Sequence, residues 1–403
     1  MAANDAITAV SGAMDEPSDI AASASRKITI TLYSIVIILY WMSQYVYAAS
    51  LPSYVQSKTG TLASVGLILS MYGLWQAIVR IPVGIFTDWV GWRKPFILSG
   101  LLLAGVGALV LGASESANGL MFGRSITGLA AGAWVPMVVA FSSLFPARDS
   151  VRAAGYLILF QASGRIVASV ANGPLNNIGG YQLAFYAAVA VSLISLFIAA
   201  FIREQRRPSQ RPSADLIRKL FLRKDVLIPS LLAALAQSVT WGVSLSFIPI
   251  IAKQLGGTDN TQSLLAALAV GLLAVGSFVV NFITSRIGPR RVVALSFVLF
   301  FVGSVLAAVA GSIPTLVLSQ ICLGLALGFS YPTLMGLSIR LVIDSERTIA
   351  MGLHQTMYAM GMFIGPAASG VLAQAFGISK MFAVFAFAAL LLGYWGAQTL
   401  EKN

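Results

Sequence analysis

The sequence predicts an all-α membrane protein: twelve transmembrane helices arranged as two pseudo-symmetric six-helix bundles. Three observations carry that expectation. Apolar runs of about 20 residues, the length a helix needs to cross roughly 30 Å of hydrocarbon, recur along the whole chain. Hydrophobic residues make up 58% of the 403 and charged residues 10%, with a mean hydropathy of +0.85. A soluble domain carries about 25% charged residues, so this chain has too few to coat a surface facing water. Finally, a displacement of about 197 positions brings residues of the second half into register with the first.

The elements follow from the apolar runs between polar breaks, and they are helices because lipid offers no partner to unpaired backbone groups. Residues 1–27 are polar and rich in Ala and Ser. They lack the charged start, apolar core and cleavage site of a signal peptide, so a flexible tail before a retained first helix is expected. That helix spans 28–51, and runs at 62–86, 95–113, 118–143, 153–174 and 181–202 complete an N-terminal bundle, 28–202. Residues 203–226 form the one long charged interruption, a Pro-, Ser- and Arg-rich linker with a short surface helix expected in 215–224. The second bundle, 227–399, contains runs at 227–251, 262–285, 291–311, 313–342, 348–373 and 379–399, and leaves a tail at 400–403.

Charge placement gives orientation. Of 26 basic residues, Arg80, Arg124 and Arg165 lie within helices, and only Lys58, Lys253 and Lys380 fall on the face opposite the termini. The other twenty sit with the termini and the loops on that side, and positive charge stays cytoplasmic. Both termini are therefore expected inside, in an inner (plasma) membrane. The net charge of +12 is a topology signal, and nucleic acid is not an expected partner. A single cysteine, Cys322, excludes a disulfide framework and reads as a packed thiol.

The repeat pairs Pro52 with Pro249, Gly91, Arg93 and Lys94 with Gly288, Arg290 and Arg291, and Gly155 and Gly164 with Gly352 and Gly361. Gly128, Gly132 and Pro136 pair with Gly324, Gly328 and Pro332 at one residue less. Parallel repeats about an axis along the membrane normal place a solute site between the halves, near the midplane.

The loop sequence GIFTDWVGWRK, 84–94, resembles the signature loop of the major facilitator superfamily through Gly84, Asp88, Gly91, Arg93 and Lys94, with Trp89 and Trp92 in place of basic residues. A decayed copy, NFITSRIGPRR, follows in the second half with Ser285 in place of the acid. RSITGLAAGA resembles the family's helix-4 motif through Arg124 and Gly128, and Gly173-Pro174 and Gly365-Pro366 are similar to its helix 5 and 11 patterns. Gly179-Gly180 come two residues later than an antiporter motif requires, so that motif does not carry antiport here. The resemblance implies a two-bundle transporter working by alternating access. It also implies a gating latch with Asp88 as the anion and Arg93 as a partner; the rival role for these basic residues is to anchor topology.

Ionisable groups inside a membrane are costly and mark function. All 14 acidic residues lie outside helix middles, whereas three arginines do not. Tyr72, Gln76 and Arg80 form one stripe of helix 2; Gln161, Arg165, Asn172 and Asn176 share a face of helix 5. Arg165 and Arg80 are candidates to contact solute, with a carbonyl-bonded structural role as the rival, and Arg124 is assigned to gating or structure. Tyr40, Gln44 and Tyr47 of helix 1, Gln237, Trp241 and Ser244 of helix 7, and Tyr358 of helix 11 complete a candidate cavity or, alternatively, pack the core. His354, the only histidine, is either a proton carrier or a hydrogen-bonded packing residue.

With no P-loop and no catalytic constellation, a secondary carrier rather than an enzyme is expected, needing no cofactor and no resident metal. The expected cargo is a small anionic or polar organic solute, with a co-transported or exchanged ion, handled by a monomer in contact with membrane lipid. Proton-driven drug efflux is the first alternative. Copper import through Met351, His354, Met357, Met360 and Met362, and a receptor that does not transport, are the others.

Overall fold

The computed structural model describes residues 17–146, 149–204, 219–343 and 346–400, apart from the side chains of 17–25, Asp88, Ser150, Val151 and Thr348. Among these residues the structure is helical and contains no strand. The N-terminal half comprises α1 (Pro17–Tyr45, continued after a turn by Leu51–Thr59), α2 (Leu62–Val90), α3 (Lys94–Ala113) and α4 (Ala117–Ala130, passing through a tight turn into Trp134–Ser142). Helices α5 and α6 lie within Ser150–Phe201 and divide at Gly179 and Gly180. The C-terminal half comprises α7 (Lys224–Val239, a π-helical stretch Thr240–Phe247, then Ile248–Gln254), α8 (Asp259–Ile287), α9 (Pro289–Ala308) and α10 (Ile313–Ile339). It ends with α11 (Arg347–Phe376) and α12 (Ile378–Ala388, widening to a π-helical Ala389–Tyr394 before Trp395–Gln398). Among the described residues, these helices leave Pro17 and Leu400 on one face, here called the terminal face.

Most expected boundaries hold to within a few residues, because caps and glycines stop the helices where the apolar runs stop. Thr61 accepts a hydrogen bond from the Ser64 amide at the start of α2, and Gly91 ends that helix with φ +65°. Thr258 and Thr261 form a reciprocal cap on α8. Three expectations need correction. Helix α1 is already formed at Pro17, the first described residue, because the Ala- and Ser-rich stretch that follows contains no breaker. Helix α5 continues through Pro174, and the chain turns at Gly180, whose φ of +67° suits glycine. The expected continuous helix at 28–51 is broken over 46–50. Of the surface helix expected in 215–224, residues 215–218 lie outside the described residues, and 219–221 are helical before a turn at Leu222.

The breaks in α1 and α7 precede Pro52 and Pro249, the pair matched by the repeat. Proline removes a donor and crowds the carbonyl one turn earlier, so polar groups are released at membrane depth and need partners from elsewhere. Asn172 of α5 donates to the Val46 carbonyl at 2.8 Å, and Asn176 donates to Ser50 Oγ at 2.9 Å. Gln262 of α8 donates to the Pro249 carbonyl at 2.7 Å.

The halves meet along α2 against α11 and α5 against α8. A Cβ built on Gly66 would lie 2.6 Å from the Gly370 Cα, so the two backbones touch there, as small residues allow between membrane helices. Large apolar side chains such as Ile178, Phe197, Phe278 and Trp395 are exposed on the outer surface, where lipid covers them.

Candidate solute cavity

Two adjacent spaces lie between the halves. The deeper one is bordered by Gln44, Arg124, Ser244, Pro249, Ala266 and Gln320. The other lies toward the terminal face and is bordered by Gln76, Arg80, Gln161, Arg165, Gln237 and Gln355. Tyr45, Tyr72, Trp241 and Leu245 border both. Tyr72 of the first half stacks on Trp241 of the second with centroids 5.3 Å apart and planes 15° from parallel. The Arg124 guanidinium sits 4.4 Å from the Tyr72 centroid and 6.0 Å from that of Trp241, so an aromatic pair joined across the halves partitions the cavity under a buried cation.

All three intramembrane arginines border this space. Arg165 lies over Tyr45 at 4.4 Å and Trp41 at 5.9 Å. Arg80 donates from Nη1 to the side-chain oxygen of Gln355 at 2.6 Å and to its carbonyl at 3.2 Å, a bond between the halves. The Nε groups of Arg80, Arg124 and Arg165 are buried with no partner. Among the described residues, no carboxylate borders either space.

Several other sequence candidates arrive at the cavity: Gln161, Gln76, Gln44, Gln237, Trp241 and Tyr358 border it. Tyr40 and Tyr47 do not. The Tyr40 hydroxyl donates to the Ala130 carbonyl, and the Tyr47 ring packs 5.0 Å from Phe185, both inside the first half. His354 is fully buried with Nδ1 3.1 Å from Ser230 Oγ of α7. Met362, about 12 Å along α11 from His354 at 1.5 Å per residue, borders the cavity instead, so the histidine and this methionine do not converge on one metal. In the signature loop, Gly84 lies inside α2 and Gly91 ends it, while the side chain of Asp88 is outside the described residues. Arg93 and Lys94 donate their amides to Glu204, and the Arg93 guanidinium approaches the same carboxylate at 3.9 Å.

Sequence reasoning missed the closure of the face opposite the termini. There the Asp259 carboxylate accepts from Lys253 at 2.5 Å and from Asn176 of the other half at 3.0 Å, and Lys253 also donates to Tyr181 at 3.3 Å. Gln262 donates to Ser53 at 2.6 Å, Ser263 to Asn172 at 3.4 Å, and the Leu62 amide to Gln374 at 2.9 Å. Lys58 and Glu115 pair within the first half. A signal was present: both acids expected on that face stand a short loop away, in sequence or space, from one of its three lysines. Gln320 was also missed, although the repeat offset of 196 places it opposite Arg124. It accepts from Ser244 Oγ at 2.6 Å.

Comparison with known proteins agrees with this architecture. The Major Facilitator Superfamily profile matches residues 33–242 and 230–398. An uncharacterized MFS-type transporter of Methanocaldococcus jannaschii is 22% identical over 87% of this chain and 92% of its own length. The class H tetracycline resistance protein of Pasteurella multocida is 24% identical over 77% of this chain and 79% of its own. Among solved structures, a bacterial homolog of the human lysosomal transporter Spinster, in an inward-facing, unoccupied conformation, superposes with a TM-score of 0.77 at 15% identity, covering 96% and 98% of the two chains. With two repeats of six helices, a signature loop between α2 and α3 and a profile match over both halves, this multi-pass membrane protein belongs to the Major Facilitator Superfamily of transporters.

Proposed function

We propose that the protein is a secondary carrier that moves a small organic anion across an inner membrane by alternating access, as a monomer with both termini in the cytoplasm. The bundles 28–202 and 227–399 rock about the cavity, joined by the linker 203–226. One observation carries the anion reading: three arginines border the cavity with unused donors, and among the described residues no carboxylate borders it to balance them. A narrow space with apolar walls focuses their field, and a guanidinium offers a carboxylate or phosphate a forked pair of bonds. Arg165, like Arg124, has ring faces rather than acceptors for partners, and it borders the space toward the terminal face, so it is the anchor to test.

The test is ligand binding to the purified protein, compared for an anionic solute and its ester. Arg165→Ala weakens the anion by about 2 kcal/mol, roughly thirtyfold, the worth of a hydrogen bond to a charged group. Arg165→Lys keeps a point charge and loses less. The ester is little affected by either change. Equal losses for both forms, or tightest binding by a cationic drug, removes the anion reading.

A second reading, drug efflux, is favoured by the aromatic partition and by the class H tetracycline resistance relative. A thermal-shift panel of organic anions, amino acids, siderophores and cationic drugs separates the two, since a bound solute stabilises the fold by mass action.

A further inference from the structure

Each of three helices presents a glutamine one turn from a larger group to the space on the terminal side of the aromatic partition: Gln76 and Arg80 of α2, Gln161 and Arg165 of α5, Gln237 and Trp241 of α7. The two cations belong to the first half. The second half supplies Gln237, Gln355 and Tyr358. Gln355 is engaged by Arg80 through its oxygen and donates to the Tyr331 hydroxyl at 3.4 Å. Gln237 differs from it. The residue is 1% exposed, and neither its amide nitrogen nor its amide oxygen has a partner. The Gln76 oxygen, on a residue 2% exposed, is unpaired as well.

A buried amide left unpaired at both ends costs free energy that a leucine of similar shape would avoid. Its presence on the cavity wall points to a solute that completes it. The nitrogen needs an acceptor and the oxygen needs a donor, a demand that a primary amide or a lactam meets along one edge, where its N–H and C=O lie side by side. We propose that Gln237 reads such a donor–acceptor edge on the neutral part of the solute, while the anionic end lies against Arg80 and Arg165 of the opposite half. The cargo class is thus an organic anion bearing a primary amide or a lactam, such as a carbamoyl-substituted carboxylate or a heteroaromatic carboxylate with a lactam edge. This inference rests on the organic-anion reading for its charged end.

Three probes separate the contributions. 4-Carbamoylbenzoate carries a carboxylate and a primary amide; 4-isopropylbenzoate has the same shape, ring and charge but no amide; methyl 4-carbamoylbenzoate keeps the amide and loses the charge. Binding is measured by calorimetry on the full-length protein in lipid nanodiscs. 4-Carbamoylbenzoate is expected to bind about tenfold more tightly than 4-isopropylbenzoate, the worth of one to two hydrogen bonds. Gln237→Leu is expected to erase that difference and leave 4-isopropylbenzoate unchanged. The ligand-free melting temperature of this variant should rise, because an unpaired amide has gone. Gln237→Met serves as a second variant of the same design should the leucine protein not fold.

Equal binding of 4-carbamoylbenzoate and 4-isopropylbenzoate by the wild type, or no 4-carbamoylbenzoate binding at millimolar concentration, overturns the proposal. So does a Gln237→Leu protein that loses both ligands equally or keeps the preference. Methyl 4-carbamoylbenzoate binding as tightly as 4-carbamoylbenzoate sinks the organic-anion reading instead. In that case, a preference for 4-carbamoylbenzoate over 4-isopropylbenzoate that depends on Gln237 still supports the amide edge.

Discussion

Replacing Asp259 should open the face opposite the termini by an amount that the local geometry fixes. Its carboxylate holds two groups, Lys253 at 2.5 Å and Asn176 at 3.0 Å. The lysine belongs to the same half as Asp259, and its side chain is 46% exposed, so that ion pair survives in either conformation and adds little to the difference between them. The bond that must break on opening is Asn176 to Asp259. A hydrogen bond to a charged acceptor contributes about 1.5–3 kcal/mol and a neutral one about 1. Asp259→Asn retains a neutral acceptor and costs the closed state about 1 kcal/mol, whereas Asp259→Ala costs about 2. The open population then rises roughly fivefold and thirtyfold. Ala266 borders the deep space and is 8% exposed, so Ala266→Cys in a Cys322→Ser background reports opening. The readout is its labelling rate by an impermeant maleimide applied to the far face of sealed vesicles. Lys58→Met removes a pair confined to the first half and should leave labelling unchanged. Wild-type labelling in both Asp259 variants would refute the assignment of this carboxylate to closure.

Two further outcomes follow from contacts between helices. Gly66→Leu places a side chain where the α11 backbone already lies, so far-face labelling should rise while transport is lost and membrane insertion is retained; normal transport would mean that the halves need not close along this line. His354→Gln tests coupling. Ser230 Oγ gives its hydrogen to the Val226 carbonyl at 2.6 Å, so it accepts from Nδ1 of His354 and leaves Nε2 unpaired, a tautomer assigned from this hydrogen-bond pattern. If a pH gradient drives uptake by the wild type, that uptake should fail in His354→Gln proteoliposomes while counterflow exchange continues, and full gradient-driven uptake would make His354 a packing residue.

The fold was legible because bilayer thickness, helix rise and the prohibition on unpaired backbone act on every residue, so run length alone locates the spans. The breaks were less legible. Pro52 and Pro249 were visible as a matched pair, yet whether a proline bends, breaks or merely sits in a membrane helix depends on which neighbours satisfy the freed groups. Pro174 is carried inside α5, whereas the Pro52 region breaks with Asn172 and Asn176 to serve it. Helical periodicity places those asparagines on one face with Gln161 and Arg165, which gives a direction but not a partner. Periodicity failed in the same way for Tyr40 and Tyr47, which turn into the first bundle. The arginines were legible because a charge at that depth has few explanations. Gln237 was named as a candidate, but its unpaired state appears only when every neighbour is in place.

The charge asymmetry of the repeat constrains how binding can drive motion. At the repeat offsets the arginines Arg80, Arg124 and Arg165 face Ser277, Gln320 and Met362, none of them charged. All cavity cations therefore travel with the first half. A solute held by that half alone would contact it equally in every conformation and could shift no equilibrium, however tightly it bound. Differential affinity has to come from groups of the second half that approach or withdraw as the bundles rock. Gln237, Tyr358 and Trp241 are the second-half groups closest to that role, and Trp241 already bridges the halves through Tyr72 beneath Arg124. On this reading the arginines decide which solutes enter, and the neutral edge of the solute decides whether the carrier moves. Truncating that edge should therefore slow transport more than it weakens binding, whereas esterifying the anionic end should weaken binding first.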